Sequence, residues 1–270
     1  MLDGLLRQRV LMLAPAGAAL FARPRWQQSN WSLLARSPLS VADWNDGQKL
    51  AARLFALAQE GRLTRAPMQV MVSDRLCRTF MVTPPPNAAR MADLKAAAAA
   101  RHARLFGSGI GWQIDAQWNP ARPFIASAMP ITISSALDSL QIKTGLAAVR
   151  VQPHFIEASN DLRAQITDGD WFGVVEGKHM TMAAVKSSAF SAVRATQLPS
   201  EVFESADALS RFVRQEVLRL DVELPTLLKL SGDVPAVWVS RAPTRSGCVH
   251  LDRNVAQRSS ALLAIAEGKT

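Results

Sequence analysis

Side chains able to do chemistry are few in this chain, and they stand apart. The four histidines, His102, His154, His179 and His250, show no spacing that would bring two imidazoles to one metal, so all four are expected to be structural and no metal site is expected. Cys77 and Cys248 are each alone in sequence, which fits a reducing compartment better than a disulfide framework. The one glycine-rich run, Gly107-Ser108-Gly109-Ile110-Gly111, follows a helical pattern and precedes a strand pattern. A dinucleotide loop has the opposite order, so the run reads as a connector. Ser187 and Ser188 have no histidine and acid near them in a recognisable order for nucleophilic catalysis. No catalytic residue is expected.

Composition limits the remaining classes. Hydrophobic residues make up 49% of the 270 and charged residues 20%, enough apolar surface for packed cores and too much for a disordered chain. Lys plus Arg number 31 against 22 Asp plus Glu, a net charge of +9, which favours anionic partners in general. The positive residues are scattered, with no run of five like charges, so the case for nucleic acid rests on charge alone and is weak. Arg7 and Arg9 precede an apolar run from Val10 to Phe21 that superficially resembles a signal peptide, but Pro15 and Gly17 break it and Leu20 occupies a small-residue position. No stretch approaches the roughly 20 apolar residues of a membrane helix, so the chain is not expected to span a membrane.

The elements that must position any site come in a recurring order. Val10 to Ala14 and Ala18 to Arg23 read as strands around Pro15-Ala16-Gly17, and Trp31 to Arg36 as a third. Asp43 is the expected cap of a helix with Leu50, Leu54, Phe55 and Leu57 on one face, and Gly61 its left-handed stop. Val70 to Val72 is a buried strand ending at Ser73-Asp74. The second half repeats the scheme. Trp171 to Val175 and Met180 to Val185 flank the turn Glu176-Gly177-Lys178, and Phe190 to Ala195 is a third strand. Ser205 caps a helix with Leu209, Phe212, Val213, Val217 and Leu220 on one side, and after Gly232 and Pro235 the run Ala236 to Ser240 is the expected fourth strand.

Between the copies lies additional material. Arg78 to Val82 is strand-like, Pro84-Pro85-Pro86 stops it, and Asn87 is the expected cap of an alanine-rich helix ending at Phe106 and Gly107. Trp112 to Trp118 alternates apolar and polar residues as a half-wet strand does, and Phe124 to Met129 is its expected partner. Ser134 or Ser135 starts a helix to Gly145, and Ala147 to Val151 is a further strand before Pro153. Two lobes are therefore expected, residues 1–168 with an insertion at about 75–130, and a second, truncated lobe over 169–270.

This order resembles the actin-like superfamily, and within it PilM and the cytoplasmic part of GspL, assembly scaffolds of type IV pilus and type II secretion machines. The segments that carry the likeness are Val70 through Phe80, Gly145 through Pro153 with Asn160 beyond, and Trp171 through Gly177. The resemblance implies an α/β fold of duplicated actin-like (ribonuclease H-like) lobes, each with a mixed sheet of five-stranded type, and a small α+β subdomain inserted in the first. It further implies a non-catalytic cytoplasmic scaffold at the inner membrane. Its partners would be inner-membrane pilus or secretion proteins held through a cytoplasmic tail, and self-association is a further expectation. The tail would enter the cleft between the first lobe and its insertion, near Arg75, Arg78 and Phe80, by strand addition.

Nucleotide-binding members of the superfamily place an acid and a glycine in the first hairpin turn of each lobe. Here the first turn offers Gly17 without a carboxylate, while the second offers Glu176, Gly177 and Lys178 followed by His179 in place of a hydroxyl. The glycine pair expected after the late strand is replaced by Ser240-Arg241-Ala242-Pro243. No cofactor is expected, with ATP bound at a degenerate site, or an actin-like ATPase or kinase activity there, as the alternative reading and nucleic-acid binding as a second.

Overall fold

Alternating apolar residues build the chain into two sheets of the same connectivity. The computed structural model describes residues 7–24, 31–63, 67–88, 90–239, 247–251, 264–266 and 268. The first stretch runs β1 (Arg7–Ala14), β2 (Gly17–Pro24), β3 (Ser32–Pro38), α1 (Val41–Trp44), α2 (Gly47–Glu60) and β4 (Pro67–Val72). The insertion supplies β5 (Arg78–Val82), α3 (Met91–Phe106), β6 (Trp112–Ala116) and β7 (Phe124–Pro130), and α4 (Ile131–Thr144), β8 (Ala147–Pro153) and α5 (His154–Asp161) follow. The second half contains β9 (Trp171–Glu176), β10 (His179–Lys186), β11 (Ala189–Gln197), α6 (Ala206–Leu220), β12 (Leu227–Gly232) and β13 (Gly247–His250).

The sheet orders are β3-β2-β1-β4-β8 and β11-β10-β9-β12-β13, with β5-β7-β6 as a separate three-stranded sheet. Each large sheet opens with two antiparallel hairpins and continues with two parallel pairings, β1 to β4 to β8 and β9 to β12 to β13. Even the irregularities repeat, with a register shift in β2–β3 at Leu20/Phe21 and in β10–β11 at Ala184/Val185. The expected duplication is present, and it makes Ala14, the last residue of β1, the counterpart of Glu176, the last residue of β9. Both hairpins close with two-residue turns, Ala14 pairing with Gly17 and Glu176 with His179.

Parallel strands need crossovers that cover a face, and the helices provide them. Helices α2 and α4 bury Leu50, Leu54, Leu57, Ile133 and Leu137 against Leu11, Leu13, Val70 and Val72. Helix α6 seats Leu209, Phe212, Val213 and Val217 against Trp171, Val175, Met182 and Leu230. Full burial of such side chains stabilises by about 1.5–3 kcal/mol each before conformational entropy is counted. Helix α5 lies on the other face of the second sheet, packing Phe155, Ala158 and Leu162 on Phe172 and Val174. The insertion has its own core of Phe80, Val82, Leu94, Ala98, Phe124 and Ala126 under α3, and β5 runs beside β11 of the second lobe.

Several boundaries differ from the sequence reading. The fourth strand of the second lobe is β12, not Ala236 to Ser240. Residues Ala236–Trp238 form a 3-10 turn that drops Trp238 into the core with its indole nitrogen donating to the Val202 carbonyl at 2.7 Å, while Ser240 lies outside the described residues. The strand was concealed by Lys229, which looks out of place among leucines but reaches the buried Asp170 at 2.6 Å. Asp43 does not cap the long helix. It is the third residue of α1 in a capping box with Ser40, and Asp46 caps α2 by accepting from the amides of Gln48 and Lys49. Gly61 is right-handed at φ −71°, and its missing side chain matters because a Cβ would stand 2.7 Å from Leu20. Helix α3 begins at Met91 rather than at Asn87, with Asp93 accepting from the Arg90 amide at 3.2 Å. Helix α4 begins at Ile131, and Ser134 and Ser135 turn their hydroxyls back to the Ile131 carbonyl. Strand β6 ends at Ala116, and α5 has no counterpart in the sequence reading.

Candidate functional site

The ends of three strands, β4 and β8 of the first sheet and β9 of the second, converge where the lobes meet. Strand β4 is followed by Ser73, whose amide still bonds the Leu13 carbonyl at 2.8 Å, and by a single 3-10 turn, Asp74–Leu76, capped by the Ser73 hydroxyl. Strand β8 ends at Pro153, which has the fixed backbone angle a helix entry requires, so His154 begins α5 facing inward. Asp74 accepts from the Phe155 amide with both oxygens, at 3.1 and 3.0 Å, and so caps a helix that starts 80 residues later in the chain.

Glu176 enters this junction from the second lobe. One carboxylate oxygen accepts from the Ser73 hydroxyl at 2.5 Å, and the other accepts from His154 Nδ1 at 2.7 Å and from the Asp74 amide at 3.3 Å. Asp74, His154 and Glu176 are buried, with exposures of 3%, 0% and 5%. Burial and the adjacent Glu176 charge push the Asp74 carboxyl up to about 8, against the opposing pull of His154 and the Phe155 amide. Burial works against the charged form of His154, but the bond to Glu176 and the surrounding carboxylates outweigh it and raise its pKa. Burial likewise raises Glu176, yet the bond and charge of His154, with Ser73 and the Asp74 amide, bring it below the usual range. These directions favour an imidazolium–carboxylate pair beside a neutral acid, an arrangement that leaves no net charge within the cluster.

Two carboxylates and an imidazole form a donor set able to hold a divalent ion, and one ligand atom from each lies within 4.8 Å of the others. The spacing does not suit a shared ion. Donors at about 2.0–2.1 Å from a tetrahedral metal stand roughly 3.3 Å apart, whereas His154 Nδ1 and Glu176 Oε1 are 2.7 Å apart, the distance of a charge-assisted hydrogen bond. The arrangement ties the lobes together through Glu176.

The predicted nucleotide residues have other occupations. The open side of Gly17 faces the chain's own backbone, and a Cβ there would lie 2.3 Å from the Ala266 carbonyl oxygen and 2.9 Å from that of Ser37. Ala266 belongs to a short helical turn at 264–266 that packs on Val10, Met12, Ala19 and Phe21. Gly177 takes φ +58° and donates its amide to the Asp233 carboxylate at 3.0 Å, so a protein anion already occupies that donor. Lys178 bonds the Ser200 hydroxyl at 3.2 Å on the surface, and Glu176 is held by the first lobe as described. Ser240 to Pro243 lie outside the described residues.

The residues predicted to bind a partner divide in a similar way. Phe80 is 2% exposed in the insertion core, 5.7 Å from the His102 ring, so it is packing rather than a contact surface. Arg78 stacks over Trp112 at 3.9 Å and Phe106 at 5.0 Å, and Arg75 is exposed. Close to them a groove of about 320 Å³ separates the first lobe from its insertion, lined by Cys77, Met129, Leu137, Asp138, Arg150 and Gln152 among others. Strand β8 borders it as the terminal strand of its sheet, with no strand among the described residues on its outer side. Burial raises the Cys77 thiol well above its ordinary value, which leaves it inert.

Asp74 and His154 were missed because a spacing search sees only neighbours in sequence. The available signals were Ser73-Asp74 directly after a buried strand and Pro153 immediately before a helical apolar pattern of Phe155, Ala158 and Leu162.

No protein-family model matches the chain, and no curated protein matches it. Among solved structures, it is similar to a Bacteroides thetaiotaomicron protein with actin-like ATPase fold and unknown function, at 7% identity and TM-score 0.58, covering 87% of this chain and 85% of that one. The cytoplasmic domain of EpsL, an inner-membrane component of the Vibrio cholerae type II secretion system, matches at 12% identity and TM-score 0.53 over 94% of both chains. A chain of the PilM–PilN type IV pilus biogenesis complex matches at 13% identity and TM-score 0.53, covering 97% of this chain and 86% of that one. At these identities the likeness is one of fold, and the fold is actin-like. Among the described residues no helix is long and apolar enough to cross a membrane.

Proposed function

We propose that this chain is a non-catalytic scaffold that works in the cytoplasm and binds inner-membrane partners of a pilus or secretion type of machine. The observation that carries the reading is the use of Glu176, the one acid in either entrance turn, as an acceptor for Ser73, Asp74 and His154 of the opposite lobe. A carboxylate committed in this way is not free to orient a metal phosphate, and the amide of Gly177 is likewise committed to Asp233. What the chain offers outward is the groove between the first lobe and its insertion, bounded by the edge of β8 that pairs with no strand among the described residues. An extended tail could add to that edge through main-chain bonds, and the polar lining from Asp138, Arg150 and Gln152 would select its side chains. The likeness in fold to EpsL, an inner-membrane component of a type II secretion system, and to a chain of the PilM–PilN type IV pilus biogenesis complex supports this class of partner.

Two measurements test the proposal. Reconstitution with the inner-membrane proteins of such a machine is expected to give a complex that is weakened by Arg150→Glu in the groove, and no association at all would reject the reading. Calorimetry with ATP and Mg²⁺ is expected to give no binding heat and no melting shift; saturable heat would favour a nucleotide-binding protein instead.

A further inference from the structure

The far end of the insertion exposes apolar side chains that no core absorbs. Helix α3 ends at Leu105 and Phe106, exposed by 44% and 39%, and the following loop lifts Ile110 to 90% exposure. Gly107 and Gly111, at φ +84° and +82°, frame that loop, and neither has any atom within 4 Å of where a side chain would begin. Ile131, 47% exposed, joins the same surface because its amide bonds the Gly111 carbonyl at 2.9 Å. The base beneath is firm. Phe106 packs at 5.2 Å from the His102 ring and 5.9 Å from Phe80, and Arg78 stacks on it.

Along the sequence, the charges leading into this tip are positive. Between Asp93 and Asp115 the sequence carries Lys95, Arg101 and Arg104 and no acid, and Arg101 and Arg104 are exposed on the last turns of α3 directly before Leu105. Asp93 is at the opposite end of the helix, engaged with the Arg90 amide. A projecting isoleucine on a glycine-framed loop, with a leucine and a phenylalanine at its foot and arginines behind, has the arrangement of a surface that dips into lipid headgroups while its cations meet anionic phosphates. A protein groove would have to match the shape of this convex loop, whereas a bilayer requires only apolar tips and flanking cations.

We infer that the tip formed by Leu105, Phe106, Ile110 and Ile131 with Arg101 and Arg104 is a docking surface for an anionic lipid bilayer. It would give the chain a direct membrane contact, independent of the groove and of any tail bound there.

The test is co-sedimentation of the full chain with vesicles of phosphatidylglycerol and phosphatidylethanolamine, and with vesicles of phosphatidylcholine alone. Binding is expected to the anionic vesicles, to fall with added salt, and to weaken by about tenfold or more in Ile110→Asp and in the Arg101→Glu/Arg104→Glu double variant. Ile110 is 90% exposed, so the melting curve of Ile110→Asp should overlay that of the parent; Arg101 donates its Nε to the Met81 carbonyl at 3.3 Å, so the double variant is compared with Arg104→Glu alone, which is expected to weaken binding in the same direction. Equal binding to neutral vesicles, undiminished binding by Ile110→Asp, or no sedimentation with either lipid would overturn the inference. Loss of a reconstituted protein complex in Ile110→Asp with vesicle binding unchanged would assign the tip to a protein partner and also overturn it. A groove-dependent complex that survives Ile110→Asp would leave the scaffold reading standing whatever the vesicles show.

Discussion

Replacing Glu176 by alanine should loosen the junction between the lobes more than any other single truncation of a polar side chain there. The change removes the acceptor for the Ser73 hydroxyl, the Asp74 amide and His154 Nδ1, at 2.5, 3.3 and 2.7 Å. It leaves a fully buried imidazole whose charged form has lost its partner, beside an acid that cannot replace it without ionising. Removing one member of a buried ion pair costs about 3–5 kcal/mol. With about 2–4 °C lost per kcal/mol in a chain near this size, the melting midpoint should fall by roughly 6–20 °C. Glu176→Gln keeps the shape and one acceptor oxygen, so its loss should be nearer to about 1–3 kcal/mol. The assay is thermal unfolding followed by circular dichroism at pH 7, with limited proteolysis to report cleavage between 162 and 170, the stretch that links the lobes. The pair responds to pH from both sides. His154, raised by its partner, contributes stability that is present below about pH 6.5 and is lost as pH rises through its folded value. Glu176, lowered, contributes stability that is present above about pH 4.5 and is lost as pH falls through its folded value. A midpoint for Glu176→Ala within 2 °C of the parent and an unchanged pH profile would refute the claim that this network holds the lobes together.

Two further perturbations examine the same region. Asp74 titrates at about 8 in the folded chain against a reference of 3.8, so the folded state holds an extra proton in that window and stability should drain away as pH rises from about 4 to 8. Asp74→Asn keeps an oxygen for the Phe155 amide and carries no titrating proton; its melting curve should flatten over this range and lie above the parent at pH 8, and parallel curves would count against the assignment. Gly17→Ala puts a methyl 2.3 Å from the Ala266 carbonyl, which must displace residues 264–266, and a loss of about 1–3 kcal/mol with faster proteolysis of the C-terminal segment is expected. An undisturbed Gly17→Ala chain would mean that this segment does not cover the first hairpin.

The order of elements and their repetition are legible in the chain, because strands and helices announce themselves through local periods. Val10 to Ala14 with Ala18 to Arg23, Trp171 to Val175 with Met180 to Val185, and the helix begun by Ser205 all rest on side chains within a few residues of each other. The missing acid in the first entrance turn was equally legible, since a two-residue hairpin fixes which residues its turn holds. What the second turn does with its acid depends on how the two lobes come together. Asp74, His154 and Glu176 belong to three separate strand ends, and nothing in their spacing predicts that β4, β8 and β9 will bring them within one hydrogen-bonded cluster. Strand β12 was hidden for a related reason. Lys229 breaks the apolar run unless Asp170, some 60 residues earlier, is known to receive it, while Ala236 to Trp238 looks like a strand until the indole finds the Val202 carbonyl. Local pattern settles which elements form, but the meaning of a buried polar side chain depends on a partner that the fold alone supplies.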